Sequence, residues 1–447
     1  MNTILFERFP GEVRAVLLEN GSPVAFQAVP EHHNDWINAI FRGRVAQVVL
    51  GMNAAFVDIG LPDKAYLHGD DVCKGEPIQK HIRQDQELIV QIKSQQSGKG
   101  PKCSTRITLP GHAVVYLPRE HGVWVSKQIG SDERERLQAW GKEAIGPEEG
   151  LILRTGAAHE RFAVLADELN DLRGQWQAAL AVSGKAPVCL YREEGLLPWA
   201  IREWWRPGTR VIANRALDRE AAVGLLPPDE VPLLHENEML FANFGVDSLL
   251  EKACHRRIWL PSGGMLVLDH TEALAVIDVN SGKYTGKHNQ QDTILRVNLE
   301  AAEEIARLLR LLDIAGMVVV DFIDMDTDAA RAQVLTRMRE KADGRVTLLG
   351  FTQLGLLELT RARRQSAGAY WRVPCPICQG GLAASPAAIA GRLVRQAALW
   401  LTHHDGVCEV HAHPHVTALE LLERIQALPQ AQGREVRVVT GKDTESI

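Results

Sequence analysis

Two apolar runs in the second half of the chain end on aspartate. The first is Ala273-Leu-Ala-Val-Ile-Asp278-Val-Asn280, and the second is Gly316-Met-Val-Val-Val-Asp321-Phe-Ile-Asp324. Uninterrupted Val, Ile and Leu predict strands buried on both faces, which show their first polar side chain only at the end. Between them Ile294, Val297, Ala301, Ile305, Leu308 and Leu312 recur three and four apart, the spacing of a helix with one apolar face. Strand, helical crossover and strand is the connection that parallel neighbours need. Asp278 and Asp321 would then leave the sheet at the same edge. Two carboxylates meeting there make a hard-oxygen site suited to Mg²⁺ or Mn²⁺, ions that activate water at phosphodiesters. A strand-end aspartate can also simply cap a turn or the next helix. The pattern therefore points to a metal site without naming a substrate.

Elsewhere the pattern changes character. Residues 1–34 alternate apolar and polar positions around Val13, Ala15 and Leu17, which predicts hairpins. From Trp36 short runs punctuated by Gly follow, including Ala54-Ala-Phe56-Val-Asp58-Ile-Gly60 and Ala65-Tyr66-Leu67-His68, as in a small β-barrel. Leu88 to Lys93 reads as a later strand and residues 95–102 as a polar loop. Phe56 and Tyr66 stand where an OB barrel offers ring faces to unpaired bases, with Lys93 and Lys99 near for phosphates. Packing inside the barrel would explain the same rings equally well.

Residues 116–213 predict strands and one strong helix over 159–180, its apolar face formed by Phe162, Leu165, Leu169, Leu172 and Trp176. Just before it, Leu151-Ile-Leu-Arg154-Thr155 ends a strand on a guanidinium and a hydroxyl, a pair able to hold a phosphate and equally able to be ordinary. Residues 214–256 are acidic and turn-rich, and residues 354–364 read as a helix with a basic face of Arg361, Arg363 and Arg364. The tail from 383 predicts one long Ala- and Leu-rich helix and then a β/α alternation.

A chain of 447 residues has room for about two to four domains, and 45% apolar with 24% charged residues is ordinary for a globular protein. No run of about eighteen apolar residues exists and the N-terminus lacks a secretory pattern, so the expectation is a cytoplasmic protein with no membrane span. The net charge of −6 argues weakly against a nucleic-acid partner, since binding follows local patches such as Lys93, Lys99, Lys102 and Arg106. Seven scattered cysteines do not make a disulfide framework. Pro374-Cys375-Pro-Ile-Cys378-Gln-Gly380-Gly381 reads as half of a zinc site, two thiolates with glycine to turn the backbone around the ion. Cys408, His413 and His415 could complete it within the chain, and the same Cys pair from a second protomer is the simpler completion. A redox Cys-x-x-Cys is the competing reading.

Taken together, Ala54 to Gly60, Leu151 to Thr155, Trp259-Leu-Pro-Ser-Gly-Gly264, Val276 to Gly282, Asn298-Leu-Glu-Ala-Ala302, Val320 to Met325 and Cys375-Pro-Ile-Cys378 resemble the ribonuclease E/G family over nearly the whole chain. The resemblance implies a multidomain α/β protein. Its parts would be a split RNase H-like subdomain (1–34 and 214–255), an OB-fold RNA-binding domain (35–115) and a 5′-sensor domain (116–213). A DNase I-like catalytic domain (256–372), a zinc link (373–382) and a small α/β C-terminal domain (383–447) would follow. It implies that Asp278 and Asp321 hold a catalytic Mg²⁺ with Asn280 beside them. Arg154 and Thr155, with Arg345 near, would clamp a 5′-monophosphate, and Phe56, Tyr66, Lys93 and Lys99 would grip RNA. Cys375 and Cys378 would bind a structural Zn²⁺ shared between protomers of a homodimer, with pairing of two dimers left open.

Two departures stand out. Tyr66 takes the place of a phenylalanine often found there, and the segment from Glu194 to Arg206 diverges near the expected 5′ pocket. The absence of a long scaffold tail places the expectation nearer ribonuclease G and gives no basis for scaffold-tail partners. The expected activity is metal-dependent cleavage of single-stranded RNA, in rRNA or mRNA processing and decay, leaving 5′-phosphate and 3′-hydroxyl ends. The rivals are a catalytically silent RNA-binding protein of the same fold and a metal phosphomonoesterase.

Overall fold

The computed structural model describes residues 1–31, 36–96, 99–158, 160–193, 195–226, 230–271, 273–281, 290–362, 372–374, 382–412 and 416–440. The chain divides into two compact units, Met1–His33 with Pro207–Ile447, and Asn34–Arg206, so the second is an insertion in the first.

The first unit opens with three antiparallel strands, Asn2–Phe9, Glu12–Glu19 and Ser22–Pro30. The last two are joined through Asn20 and Gly21, both at positive φ, the requirement of a two-residue turn whose twist matches the strands. Arg210–Ala213 and Leu233–Leu234 extend this sheet in parallel. The stretch 214–256, acidic and turn-rich in its sequence, also holds helices Ala216–Val223, Leu240–Asn243 and Val246–Cys254. Leu240, Phe241, Val246 and Leu250 pack with Leu5, Val16 and Phe26 in the main core, the apolar burial that turn signals alone concealed.

A six-stranded sheet follows in the spatial order Arg257–Trp259, Met265–His270, Leu274–Asn280, Gly316–Asp321, Leu357–Arg361 and Val346–Phe351. Only the pair Leu274–Asn280 and Gly316–Asp321 is parallel, and the helix Gln290–Leu311 makes the crossover. Val297, Ala301, Ile305 and Leu308 of that helix are buried with Ala275, Ile277, Val318 and Val320 of the two strands. Truncating one such leucine to alanine costs about 2–5 kcal/mol.

The helix expected over residues 354–364 is instead the strand Leu357–Arg361. Leu357 and Leu359 are buried while Glu358 is exposed, a period of two that the clustered leucines obscured. Nor is Arg361 part of a basic surface: it is 1% exposed and bonded to Asp313 at 2.8 Å and Asp343 at 3.0 Å. Arg363 and Arg364 lie outside the described residues.

In the tail, helices Pro386–His403 and Ala418–Gln426 cover the parallel strands Cys408–Ala412 and Val436–Thr440 around their own apolar core. Strands Arg372–Pro374 and Leu382–Ala384 pair antiparallel. Cys375 and Cys378, between them, lie outside the described residues, as do His413 and His415.

The second unit contains a closed five-stranded barrel of Ile40–Val49, Ala54–Asp58, Ala65–His68, Lys99–Ser104 and Glu87–Gln96, the last pairing back onto the first. The segment 95–102, expected as a loop, is mostly strand, because the closing ladder supplies its backbone partners. Beside the barrel, strands Gly122–Val125, Gly150–Leu153, Val114–Leu117 and Leu109–Pro110 form a sheet. It carries helix Phe162–Ala181, whose Leu165, Leu169, Leu172 and Trp176 are buried as the spacing predicts, although Phe162 is exposed. Helices Ser131–Ala144 and Leu196–Trp204 accompany it. The first is half charged and buries only Leu137 and Gly141, too few apolar positions to announce a period.

Candidate functional site

Asp278 and Asp321 are direct partners in the parallel ladder, so their side chains leave neighbouring strands on one sheet face. Asp278 is half-buried, and Asp321 and Asp324 are exposed. Asn280, two residues beyond Asp278 and hence on its face, donates Nδ2 to Asp278 Oδ2 at 2.7 Å. Partial burial, then the Asp278 charge and then that of Asp324, hold the Asp321 carboxyl above its ordinary value. The charges of Asp278 and Asp324 both bear on Asp321, and a divalent cation at the register pair Asp278–Asp321 would relieve them, so this pair of hard-oxygen donors fits Mg²⁺.

Two residues of the crossover helix fix the loops beside this pair. Asn298 is fully buried; it donates Nδ2 to the Ile323 carbonyl at 2.8 Å and accepts from the Ile323 N–H at 3.1 Å. With Phe322 and Met325 buried, the turn that presents Asp324 is pinned from below. Glu300 accepts the Ser262 N–H at 2.9 Å, anchoring the glycine turn before Met265. Asp324 and Asn298 both fall in motifs noted in the sequence without a role. An amide among the apolar positions of a helix was the available signal for Asn298.

Phe56 and Tyr66 are register partners on the barrel, with ring centroids 5.9 Å apart at 68°. Ala55, Val57, Ala65 and Leu67 point inward and are buried, which leaves the two rings half-exposed on the outer face. They line a cleft of about 670 Å³ with Lys64, Ser94 and Lys102. Lys93 is not among its lining; its ammonium bonds Asp71 at 2.5 Å. Lys99 is described only by its backbone, paired with Gln96. Lys64 and Lys102 are the cations that closure of the barrel brings to the rings.

Arg154 and Thr155 follow the strand Gly150–Leu153 but face different partners. Arg154 donates to the Gly111 carbonyl at 2.8 Å and to Glu203 at 2.9 Å. Glu203 belongs to the segment flagged above as divergent. Thr155 Oγ1 donates to Gln128 at 3.1 Å and lies 3.1 Å from Ser126 Oγ. It borders a cavity of about 370 Å³ that also meets the first turn of helix Ser131–Ala144. Beside Arg154, His112 is driven down to about 4 by burial and by the nearby Arg206 charge. Arg345 belongs to the first unit, where Asp313 lies at 3.8 Å and Asp343 at 3.5 Å. Cys408 is buried in the C-terminal core, which raises its thiol above the ordinary value and disfavours a thiolate ligand there.

Residues 108–364, more than half of the chain, match the model of the ribonuclease E/G family. The chain is 34% identical over 406 residues to ribonuclease G of Escherichia coli (strain K12), covering 83% of this chain and 82% of that protein. It is 32% identical over 409 residues to ribonuclease G of Haemophilus influenzae, covering 84% and 83%. Ribonuclease E of Nostoc sp. is 33% identical over 439 residues, 93% of this chain and 60% of that protein. The chain belongs to the ribonuclease E/G family and stands close to ribonuclease G.

Proposed function

We propose that this protein is a metal-dependent endoribonuclease that cleaves single-stranded RNA internally and leaves 5′-phosphate and 3′-hydroxyl ends. The observation that carries the reading is the register pairing of Asp278 with Asp321 inside the segment matched by the family. Bound Mg²⁺ would lower the pKa of a coordinated water and offset charge on the phosphate. Asp278 and Asp321 would hold it, and Asn280 would keep the Asp278 carboxylate oriented through its amide. Water adds to phosphorus, the bond from phosphorus to the 3′-oxygen breaks, and that oxygen takes up a proton. Phe56 and Tyr66 would stack unpaired bases, which supports a preference for single strands over duplex. Lys64, Lys93, Lys99 and Lys102 would meet the backbone.

The subdomains would span 1–34 with 214–255, 35–115, 116–213, 256–372, 373–382 and 383–447. The inserted unit would supply RNA binding through the barrel and 5′-end sensing through Arg154 and Thr155. Cys375 and Cys378 would hold Zn²⁺ jointly with a second protomer, making a homodimer. The test is cleavage of an end-labelled single-stranded RNA with Mg²⁺ and with EDTA, followed by analysis of the product ends. Internal cuts that need the ion and carry a 5′-phosphate support the reading. Binding without any cut, or cuts ending in a cyclic phosphate, would overturn it.

A further inference from the structure

We propose that Cys73, Glu76 and His81, in the connection between barrel strands Ala65–His68 and Glu87–Gln96, bind a divalent ion of the Zn²⁺ class. One ligand atom from each of the three residues lies within 4.8 Å of the others. His81 Nε2 and Glu76 Oε2 already share a hydrogen bond at 3.1 Å. Ligand bonds of about 2.0–2.3 Å put neighbouring donors roughly 3.3–3.8 Å apart around tetrahedral zinc, so small side-chain rotations close the site. Thiolate, imidazole and carboxylate together select a borderline-soft ion and disfavour Mg²⁺ or Ca²⁺. Three protein ligands leave one position for water.

The backbone that carries them is held from several sides. The Ile78 side chain is fully buried, and its N–H donates to Asn53 Oδ1 at 2.8 Å. Cys73 N–H reaches the Gly69 carbonyl at 2.9 Å, and His81 N–H reaches that of Ile78 at 3.0 Å. Gly75, at φ +79°, makes the turn between Cys73 and Glu76 and donates to Asp70 Oδ1 at 3.3 Å. The ligands therefore stand on ordered turns, while side-chain exposure of 35% at His81 and 46% at Glu76 gives the ion access. Lys80, 3.7 Å from Glu76, competes with the ion for that carboxylate. The same connection carries Asp71, which bonds Lys93 and accepts the Ser104 and Thr105 hydroxyls through its carbonyl. An ion bound here would clip the loop that sets Lys93 in place.

The test uses the full-length protein stripped of metal. It is titrated with Co²⁺, read by the thiolate-to-metal charge-transfer band and d–d spectrum, and separately melted with and without Zn²⁺. Wild type should take up about one more ion per chain than Cys73→Ser, and Zn²⁺ should raise the melting temperature of wild type more than that of the variant. His81→Ala should weaken binding at least tenfold and Lys80→Ala should tighten it. Melting without metal checks that each variant folds. A Cys375→Ser/Cys378→Ser double variant should keep the Cys73-dependent increment, so loss of the shared zinc reads out separately. Equal uptake by wild type and Cys73→Ser, or unchanged binding by His81→Ala, would overturn the proposal.

Discussion

The side-chain amide of Asn298 satisfies both backbone groups of Ile323, donating to its carbonyl and accepting from its N–H. This ties the crossover helix to the turn between Asp321 and Asp324. Asn298→Ala should leave a buried N–H and carbonyl unpaired, a loss of about 1–3 kcal/mol in stability. Because the turn then drifts, kcat should fall by up to about a hundredfold while RNA binding holds. A higher Mg²⁺ requirement should accompany the loss, and Asn298→Asp, which keeps only the accepting role, should lie between. A variant with normal kcat and ordinary Mg²⁺ dependence would make Asn298 a stability residue alone.

For the barrel, the outward position of Phe56 separates two outcomes. Stacking is worth about 1–3 kcal/mol per base, so Phe56→Ala should raise KM roughly ten- to hundredfold at about 1.4 kcal/mol per decade. Its melting temperature should barely move, since the inward Val57 and Leu67 carry the core. Thermal unfolding measured beside cleavage kinetics decides it, and a drop of many degrees with unchanged KM would refute the role. Lys102→Ala should instead flatten the salt dependence of binding by about one unit of slope.

If Arg154 holds a 5′-phosphate as proposed, RNA would have to compete with Glu203 for its guanidinium. Glu203 accepts from that guanidinium at 2.9 Å, and a charge-assisted bond of this kind is worth about 1.5–3 kcal/mol. Glu203→Gln should therefore strengthen the preference for 5′-monophosphate over 5′-hydroxyl substrates by roughly tenfold or more, and Arg154→Leu should abolish it. Paired kinetics on the two substrates measure this. No change in either variant would remove Arg154 from end recognition.

Acid should weaken the inserted unit in two windows. His112 titrates near 4 in the fold against an ordinary 6.5, so the unfolded chain binds the extra proton first and stability falls between those values. Glu149 is held down to about 2 by the Arg173 hydrogen bond, with Gly146 N–H and Tyr116 assisting. Its contribution is present above about 4.5 and is lost as pH drops towards 2. Glu168, raised by burial, acts in the opposite sense, so the decisive comparison is between variants. The wild-type slope of melting temperature between pH 6.5 and 4 should shrink in His112→Asn, and an unchanged slope would rule that histidine out.

The aspartate pair was legible because strands buried on both faces write unbroken apolar runs, and the crossover helix writes its own period between them. Residues 354–364 misled because Leu354, Leu356, Leu357 and Leu359 fit either period, and only pairing with Gly316–Asp321 chose the strand. Ser131–Ala144 was invisible because its stability comes from a small buried stripe rather than an apolar face. The lining of the ring cleft by Lys64 and Lys102, and the hold of Glu203 on Arg154, arise from residues distant in sequence. Such pairs leave no periodic trace in a single chain.

As proposed, Asp278 and Asp321 would together perform the chemistry rather than maintain the sheet. Asp278→Asn and Asp321→Asn preserve shape and hydrogen-bonding reach while removing the charge that would hold the ion. Single-turnover cleavage, measured with enzyme in excess beside filter binding of the same RNA, should show rates reduced by about a thousandfold or more, with affinity and melting temperature near those of wild type. Cleavage at close to the wild-type rate by either variant would contradict the account.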